Sequence, residues 1–208
     1  MVKILKVRPN APTADVMTEA ASAIRAGGLV VYPTETVYGL GADASSGKAI
    51  NKIFKLKGRE AEKPIPIAVN SIDMASQVAE LTPAAKVLFK FLPGPLMIVA
   101  RAKPNVSKLI TAGTGRVGIR VPDHPVALKL IDFVGGPITS TSANLSGKPA
   151  PLTVREALEQ LGGKVDVALD AGKCKLGVPS TVVDATTRKL KILRKGPISE
   201  EKIKKLLT

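Results

Sequence analysis

The sequence predicts a single α/β domain built around a mixed β-sheet, and three observations carry that expectation. Strand-like and helix-like stretches interleave along the chain with no block of either, the pattern that layers helices on a sheet. No internal repeat, low-complexity tract or linker interrupts it, and no domain boundary is evident before Lys195. At 208 residues, 45% hydrophobic and 23% charged, the chain has ordinary globular composition and enough length for one large core.

Residues 3–8 alternate as a short strand. The spacing then predicts a helix over 14–26, closed by Gly27 and Gly28 where a left-handed cap is wanted. Residues 29–32 read as a buried strand. The next stretch, P-T-E-T-V-Y-G-L-G-A-D-A over 33–44, carries hydroxyls at Thr34 and Thr36 and glycines at Gly39 and Gly41, and is expected as a structured loop beside the sheet. Ile50, Ile53, Phe54 and Leu56 recur at near-helical spacing until Gly58 breaks the pattern, and Pro64 opens a strand-like run. Helices are predicted over 71–80 and 83–91, the second with Thr82 as cap and Pro83 in its first turn. A strand over 96–100, a Gly- and Thr-rich loop over 104–118 and a strand over 116–121 follow. Asp123 is expected to cap a helix reaching about Val134. Residues 137–139 form a short strand, 140–149 a polar segment, and Thr153 with Glu156 a capping box for a helix to Leu161. Strands over 165–169, 180–184 and 190–194 precede a last helix capped by Ser199.

Composition narrows the function. Lys plus Arg number 31 against 17 Asp plus Glu, a formal net charge of +14 that draws phosphates, nucleotides or RNA. Part of the excess is local, since residues 188–205 carry eight cations against Glu200 and Glu201. That run is either an RNA-facing surface or a solvated amphipathic helix. Aromatics are only 3%, with no Trp, so a surface built on base stacking is disfavoured. The single Cys174 excludes an intramolecular disulfide framework or a multi-cysteine metal site, and the single His124 excludes a two-histidine metal site within one subunit. No run of about 18 apolar residues is present, so a soluble protein in a reducing, cytoplasmic compartment, with no membrane partner, is expected.

Residues 56–64, L-K-G-R-E-A-E-K-P, gather Lys57, Arg59 and Lys63 on a helix-to-strand turn, a place where functional side chains are often displayed. Two readings stand for it, a solvated charge run and a polyanion site. Two phosphate-binding motifs fail on inspection. Residues 113–118 spell G-x-G-x-x-G, but the strand-like I-R-V-P follows where a dinucleotide fingerprint needs a helix. Residues 41–49 approximate a P-loop with one residue too many and no Ser or Thr for magnesium. A nucleotide would then need cations and polar groups from several loops. Lys57 with Arg59, Ser142 with Asn144, and Arg194 offer such a set.

Those residues, with Y-P-T-E-T-V-Y-G-L-G at 32–41, K-G-R at 57–59, V-G-I-R-V-P-D-H-P at 117–125, S-T-S-A-N-L-S-G at 140–147, G-V-P-S-T-V-V-D at 177–184 and L-R-K-G-P at 193–197, resemble the YrdC-like family of threonylcarbamoyl-AMP synthases. The resemblance implies an open, twisted mixed sheet with a basic concave face. It implies one such domain over 1–208, without the C-terminal domain that longer relatives append. It implies a nucleotidyltransferase that takes ATP, bicarbonate and L-threonine, with Mg2+, to threonylcarbamoyl-AMP and pyrophosphate. Partner proteins would use the product for threonylcarbamoyladenosine modification of tRNA. On the matching positions, Thr34, Arg120, Ser140 and Ser180 would surround threonine. Lys57, Arg59, Lys63, Ser142, Asn144 and Arg194 would hold ATP, with Lys57 and Arg59 catalytic and no protein metal ligand assigned.

Each residue also has a plainer reading. Thr34 and Thr36 would satisfy their own loop, Ser142 and Asn144 form a local turn, Arg194 end a strand in water, and His124 start a helix instead of serving as a base. Ala68 stands where the family often has a polar side chain, so a threonine contact there would come through the backbone or be absent. A different class of function also fits the charge: a non-catalytic double-stranded RNA or tRNA-binding module using the same basic face.

Overall fold

A computed structural model describes residues 1–187 and 189–207, the side chain of Leu207 excepted. Strands and helices interleave as expected: β1 (Lys3–Lys6), α1 (Ala14–Arg25), β2 (Val30–Tyr32), β3 (Gly39–Gly41), α2 (Gly47–Lys57), β4 (Ile67–Ala68), α3 (Ile72–Val78), β5 (Ala79–Glu80), α4 (Pro83–Leu88), β6 (Leu96–Ala102), α5 (Lys108–Thr111), β7 (Arg116–Arg120), α6 (Pro125–Val134), β8 (Ile138–Thr139), β9 (Thr141–Ser142), α7 (Val154–Leu161), β10 (Val167–Asp170), β11 (Thr181–Asp184), β12 (Lys191–Arg194) and α8 (Glu200–Leu207). Among the described residues, no helix is long and apolar enough to cross a membrane.

The strands pair in two groups, ordered β1-β10-β2-β3-β9 and β12-β11-β6-β7-β4-β8, with β5 alongside β6. Both mix parallel pairs, such as β1 with β10 and β4 with β7, with antiparallel ones, such as β2 with β3 and β6 with β7. Hydrogen bonds stitch the groups together. Thr139 N donates to Ala42 O at 2.9 Å, Thr139 Oγ1 accepts from Ala42 N at 2.9 Å, and Asp43 bridges Ile138. The chain itself crosses the seam at Ser140, the one residue between β8 and β9, whose N–H donates to Pro66 O. A polar residue at a seam is where a site can open without breaking a ladder.

The stretch over 33–44 departs from the expected loop by containing β3. Gly39 makes that strand possible, because a Cβ there would lie 2.8 Å from the buried Tyr32 ring on the neighbouring strand. The Gly- and Thr-rich stretch likewise holds the short α5, capped by Ser107. The helix expected over 71–80 stops at Val78, and β5 takes the next two residues. A further correction concerns α6: its cap is His124, whose Nδ1 accepts from Val126 N, while the N–H of Asp123 is taken by Glu35.

Burial fixes where the functional side chains sit. Helix α2 turns Ala49, Ile50, Ile53 and Lys57 inward on one stripe, so a lysine occupies the core-facing position of its last turn. Gly58 then adopts the left-handed cap at φ 57°. Helices α1 and α6 cover β2 and β10 through Met17, Ile24, Leu130 and Ile131, and Ala68 packs into the same cluster. Helices α4 and α8 cover β6 and β11 through Leu88, Val183 and Ile203. Helix α8 thus docks Ile203 and keeps Lys202 and Lys204 in solvent, Lys204 pairing with Glu200 at 2.8 Å. Arg188, at the head of the basic run, lies outside the described residues.

Candidate active site

Six of the ten candidate residues converge on one cavity of about 280 Å3: Arg59, Arg120, Ser140, Ser142, Ser180 and Arg194 line it, with Thr36, Val37, Pro66 and Met97 among the rest of its wall. They arrive from separate elements. Arg59 follows the α2 cap, Arg120 ends β7, Ser140 and Ser142 flank the seam, Ser180 precedes β11 and Arg194 ends β12. The cavity carries three guanidinium groups, which suits an anionic ligand with several oxygens.

The guanidinium groups are held by backbone carbonyls, one carboxylate and one hydroxyl. Arg59 donates to Lys63 O at 3.2 Å and Pro64 O at 2.8 Å, bracing its own loop. Arg194 directs Nε and Nη2 at Ser180 O, at 3.0 and 2.8 Å. Burial, then the neighbouring Arg120 charge, holds Arg194 below its ordinary pKa. Arg120 donates to Glu35 Oε1 at 2.7 Å and Thr36 Oγ1 at 3.2 Å. Arg120 Nε and Ser180 Oγ are both buried without a hydrogen-bond partner. Buried polar atoms are nearly always satisfied, so two orphans at one cavity mark where a ligand's polar atoms belong.

Four candidate residues stand off the cavity wall, each for a visible reason. Thr34 Oγ1 donates to Val37 O at 2.6 Å and accepts from the N–H groups of Thr36 and Val37, each at 3.2 Å, so it shapes the loop that presents Thr36. Lys63 is exposed and pairs with Glu60 at 3.1 Å. Asn144 Nδ2 donates to Leu145 O and Lys148 O, closing the turn after β9, while its Oδ1 is buried without a partner. Lys57, rising from beneath, donates to Ser142 O and Asn144 O. Burial, with the Arg59 charge adding to it, pushes the Lys57 ammonium down to about 7. Ala68 is fully buried among apolar neighbours.

Glu35 is a neighbour of the cavity that the sequence reading did not single out, and Thr36, read there only as satisfying its own loop, lines the cavity wall. Glu35 lies 85 positions from Arg120, and no local pattern announces such a pair. Next to the polar cavity, a second hollow of about 510 Å3 shares Pro64, Pro66 and Met97 and adds Val99, Thr114, Arg116, Gly118 and Leu193. A charged compartment therefore abuts a largely apolar one. Among the described residues, no group of three or more His, Cys, Asp or Glu is placed to hold a metal ion.

A family model, Sua5_yciO_yrdC, described as "Telomere recombination", matches residues 22–196. The chain belongs to this Sua5/YciO/YrdC family. It is 42% identical over 190 residues to a threonylcarbamoyl-AMP synthase of Pyrococcus abyssi, covering 90% of this chain and 56% of that protein. A putative threonylcarbamoyl-AMP synthase of Methanocaldococcus jannaschii is 39% identical over 180 residues, covering 85% and 84%. The crystal structure of P. abyssi Sua5 complexed with L-threonine superposes with a TM-score of 0.94 at 40% identity, over 98% of this chain and 60% of that one. Escherichia coli YciO shares the Sua5/YciO/YrdC fold at a TM-score of 0.89 and 23% identity. The chain spans just over half the length of its P. abyssi and Bacillus subtilis relatives.

Proposed function

We propose that the chain makes threonylcarbamoyl-AMP from L-threonine, bicarbonate and ATP, releasing pyrophosphate, and that partner proteins pass the threonylcarbamoyl group to tRNA. The convergence of Arg59, Arg120, Ser142, Ser180 and Arg194 on one cavity carries this reading. The names of the relatives support it.

In the reaction, threonine's amine and bicarbonate condense to a carbamate with loss of water. A carbamate oxygen then attacks the α-phosphorus of ATP and expels pyrophosphate, with no protein nucleophile. The barrier is electrostatic, since an anion approaches a polyanion, and fixed cations aimed at the developing charge lower it. Arg120 and Ser180, with their unspent atoms, receive threonine's polar groups, and Ser140 borders them. Arg59, Ser142 and Arg194 face the phosphates, Lys57 adding charge from behind Ser142. The apolar hollow beside them takes the nucleoside. Magnesium suits the chemistry as a cation carried on the triphosphate, because both Glu35 oxygens are already spent on Arg120 and the Asp123 N–H.

The deciding experiment measures pyrophosphate release with threonine and bicarbonate omitted in turn. Dependence on both is expected. Release that ignores both describes a plain ATPase, and none under any condition, with steeply salt-dependent RNA binding, describes the RNA-binding module that the +14 charge also suits.

Lys57 adds a pH signature. A nearby phosphate favours the ammonium and raises its pKa from about 7. Above pH 7, ATP binding therefore takes up a proton, and affinity weakens as the pH climbs toward 9. Calorimetry at pH 8 in two buffers of different ionisation enthalpy should show uptake approaching about one proton per ATP. Equal heats in both buffers would remove Lys57 from the phosphate site.

A further inference from the structure

Behind the cavity wall lies a charged group to which the proposed chemistry assigns no task. The Glu35 side chain is 6% exposed, and its two oxygens divide their work: Oε1 accepts from Arg120 Nη2 at 2.7 Å, and Oε2 from the Asp123 N–H at 3.1 Å. Its own carbonyl accepts from Leu176 N, and the carbonyl of Thr36 accepts from Gly177 N, so the segment leading to Ser180 hangs on the same two residues. Thr36 Oγ1 also receives Arg120 Nη1 at 3.2 Å. Two consecutive residues of one loop thus fix one edge of the guanidinium, while Nε stays buried and unpartnered. A buried guanidinium held by a single hydrogen bond would sample several orientations, and one held by a carboxylate and a hydroxyl keeps its plane.

We infer that Glu35 is a positioning residue: it holds the Arg120 fork so that the unspent N–H groups meet the carboxylate of the amino-acid substrate. This rests on the synthase reading above. Glu35 touches no substrate and acts only through Arg120. Its charge also balances that of Arg120, so the fork arrives at the ligand as an oriented donor set and not as a loose extra cation.

The test compares binding of L-threonine with that of L-threoninamide, which lacks the carboxylate, in the presence of ATP. The wild-type chain should prefer threonine, and Glu35→Gln, which keeps the shape and removes the charge, should cut that preference by about 10- to 100-fold. ATP affinity should stay within about twofold, because the groups facing phosphate are untouched. A structural role for Glu35 would weaken both amino-acid ligands and ATP alike, and that result, or an unchanged preference, overturns the inference. Glu35→Asp provides the second variant if Glu35→Gln does not fold. It keeps the charge on a shorter arm and should give an intermediate preference, whereas a wild-type preference contradicts the inference. A wild-type chain without threonine-dependent pyrophosphate release sinks the synthase reading, and this inference with it. An active wild-type chain whose Glu35 variants keep full carboxylate preference sinks only the role of Glu35.

Discussion

Arg59→Ala is expected to lower the rate of adenylate formation by about 10²- to 10³-fold, the usual cost of removing one fixed donor from a developing charge. The structure explains why this side chain and not its neighbour Lys63 carries the expectation. Arg59 is braced against the carbonyls of Lys63 and Pro64 and lines the cavity, whereas Lys63 is spent on Glu60 at the surface. Lys63→Ala should therefore change turnover by less than about twofold, in line with the small worth of exposed ion pairs. Single-turnover pyrophosphate release at saturating ATP separates the two variants. Wild-type turnover in Arg59→Ala would remove it from the reaction. Its loss should appear mainly in the rate and less in threonine affinity, because the threonine contacts are assigned to Arg120 and Ser180.

Gly196→Ala is the second large effect, and it reaches the site through packing. A Cβ at this position would collide with Thr181 N and lie 2.7 Å from Ser180 C and 2.8 Å from Pro179 O. All three are backbone atoms, so the 179–181 segment must move and no rotamer change can relieve the contact. That segment anchors the start of β11 through Thr181 N to Pro95 O, and it presents Ser180, whose carbonyl holds Arg194. Overpacking of this kind costs about 1–3 kcal/mol. For a chain of this size that corresponds to a fall in Tm of roughly 3–10 °C. Threonine affinity should drop as well, because Ser180 Oγ and the Arg194 guanidinium shift together. A melting curve that overlays the wild type would show that the Gly196 approach is looser than described.

The periodic parts of the chain were readable before the structure. Helix α2 follows from its apolar spacing and the Gly58 cap, and α7 from the Thr153 cap, whose hydroxyl accepts from Glu156 N at 3.2 Å. Strands β3, β5 and β9, two or three residues each, lie below the length at which alternation can register. Their pairing is set by long-range contacts that local pattern does not encode. The choice of cap for α6 also departs from local propensity. Asp123 has the better intrinsic propensity, yet the helix starts one residue later and the His124 side chain, directly ahead of Pro125, accepts from Val126 N.

The candidate site was legible as a set of loops and less so as roles within them. Motif order brought Arg59, Arg120, Ser140, Ser142, Ser180 and Arg194 forward, and the fold gathers all six. What sequence could not separate is a side chain that faces the cavity from one that supports it. Thr34 and Thr36 are two residues apart and chemically alike, yet Thr34 folds onto its own backbone while Thr36 faces inward. Lys57 and Arg59 are equally close, but the core-facing stripe of α2 buries the first beneath Ser142 and Asn144.

The central claim is that an amino acid and a triphosphate lie side by side in the cavity between β7, the Ser140 seam and the end of β12. A crystal structure of the chain with L-threonine and a non-hydrolysable ATP analogue tests it directly. Threonine's polar atoms should meet Arg120 and Ser180, with the phosphates against Arg59, Ser142 and Arg194. Threonine or phosphate density in a different cavity, with Arg120 Nε and Ser180 Oγ still unpartnered, would contradict the account.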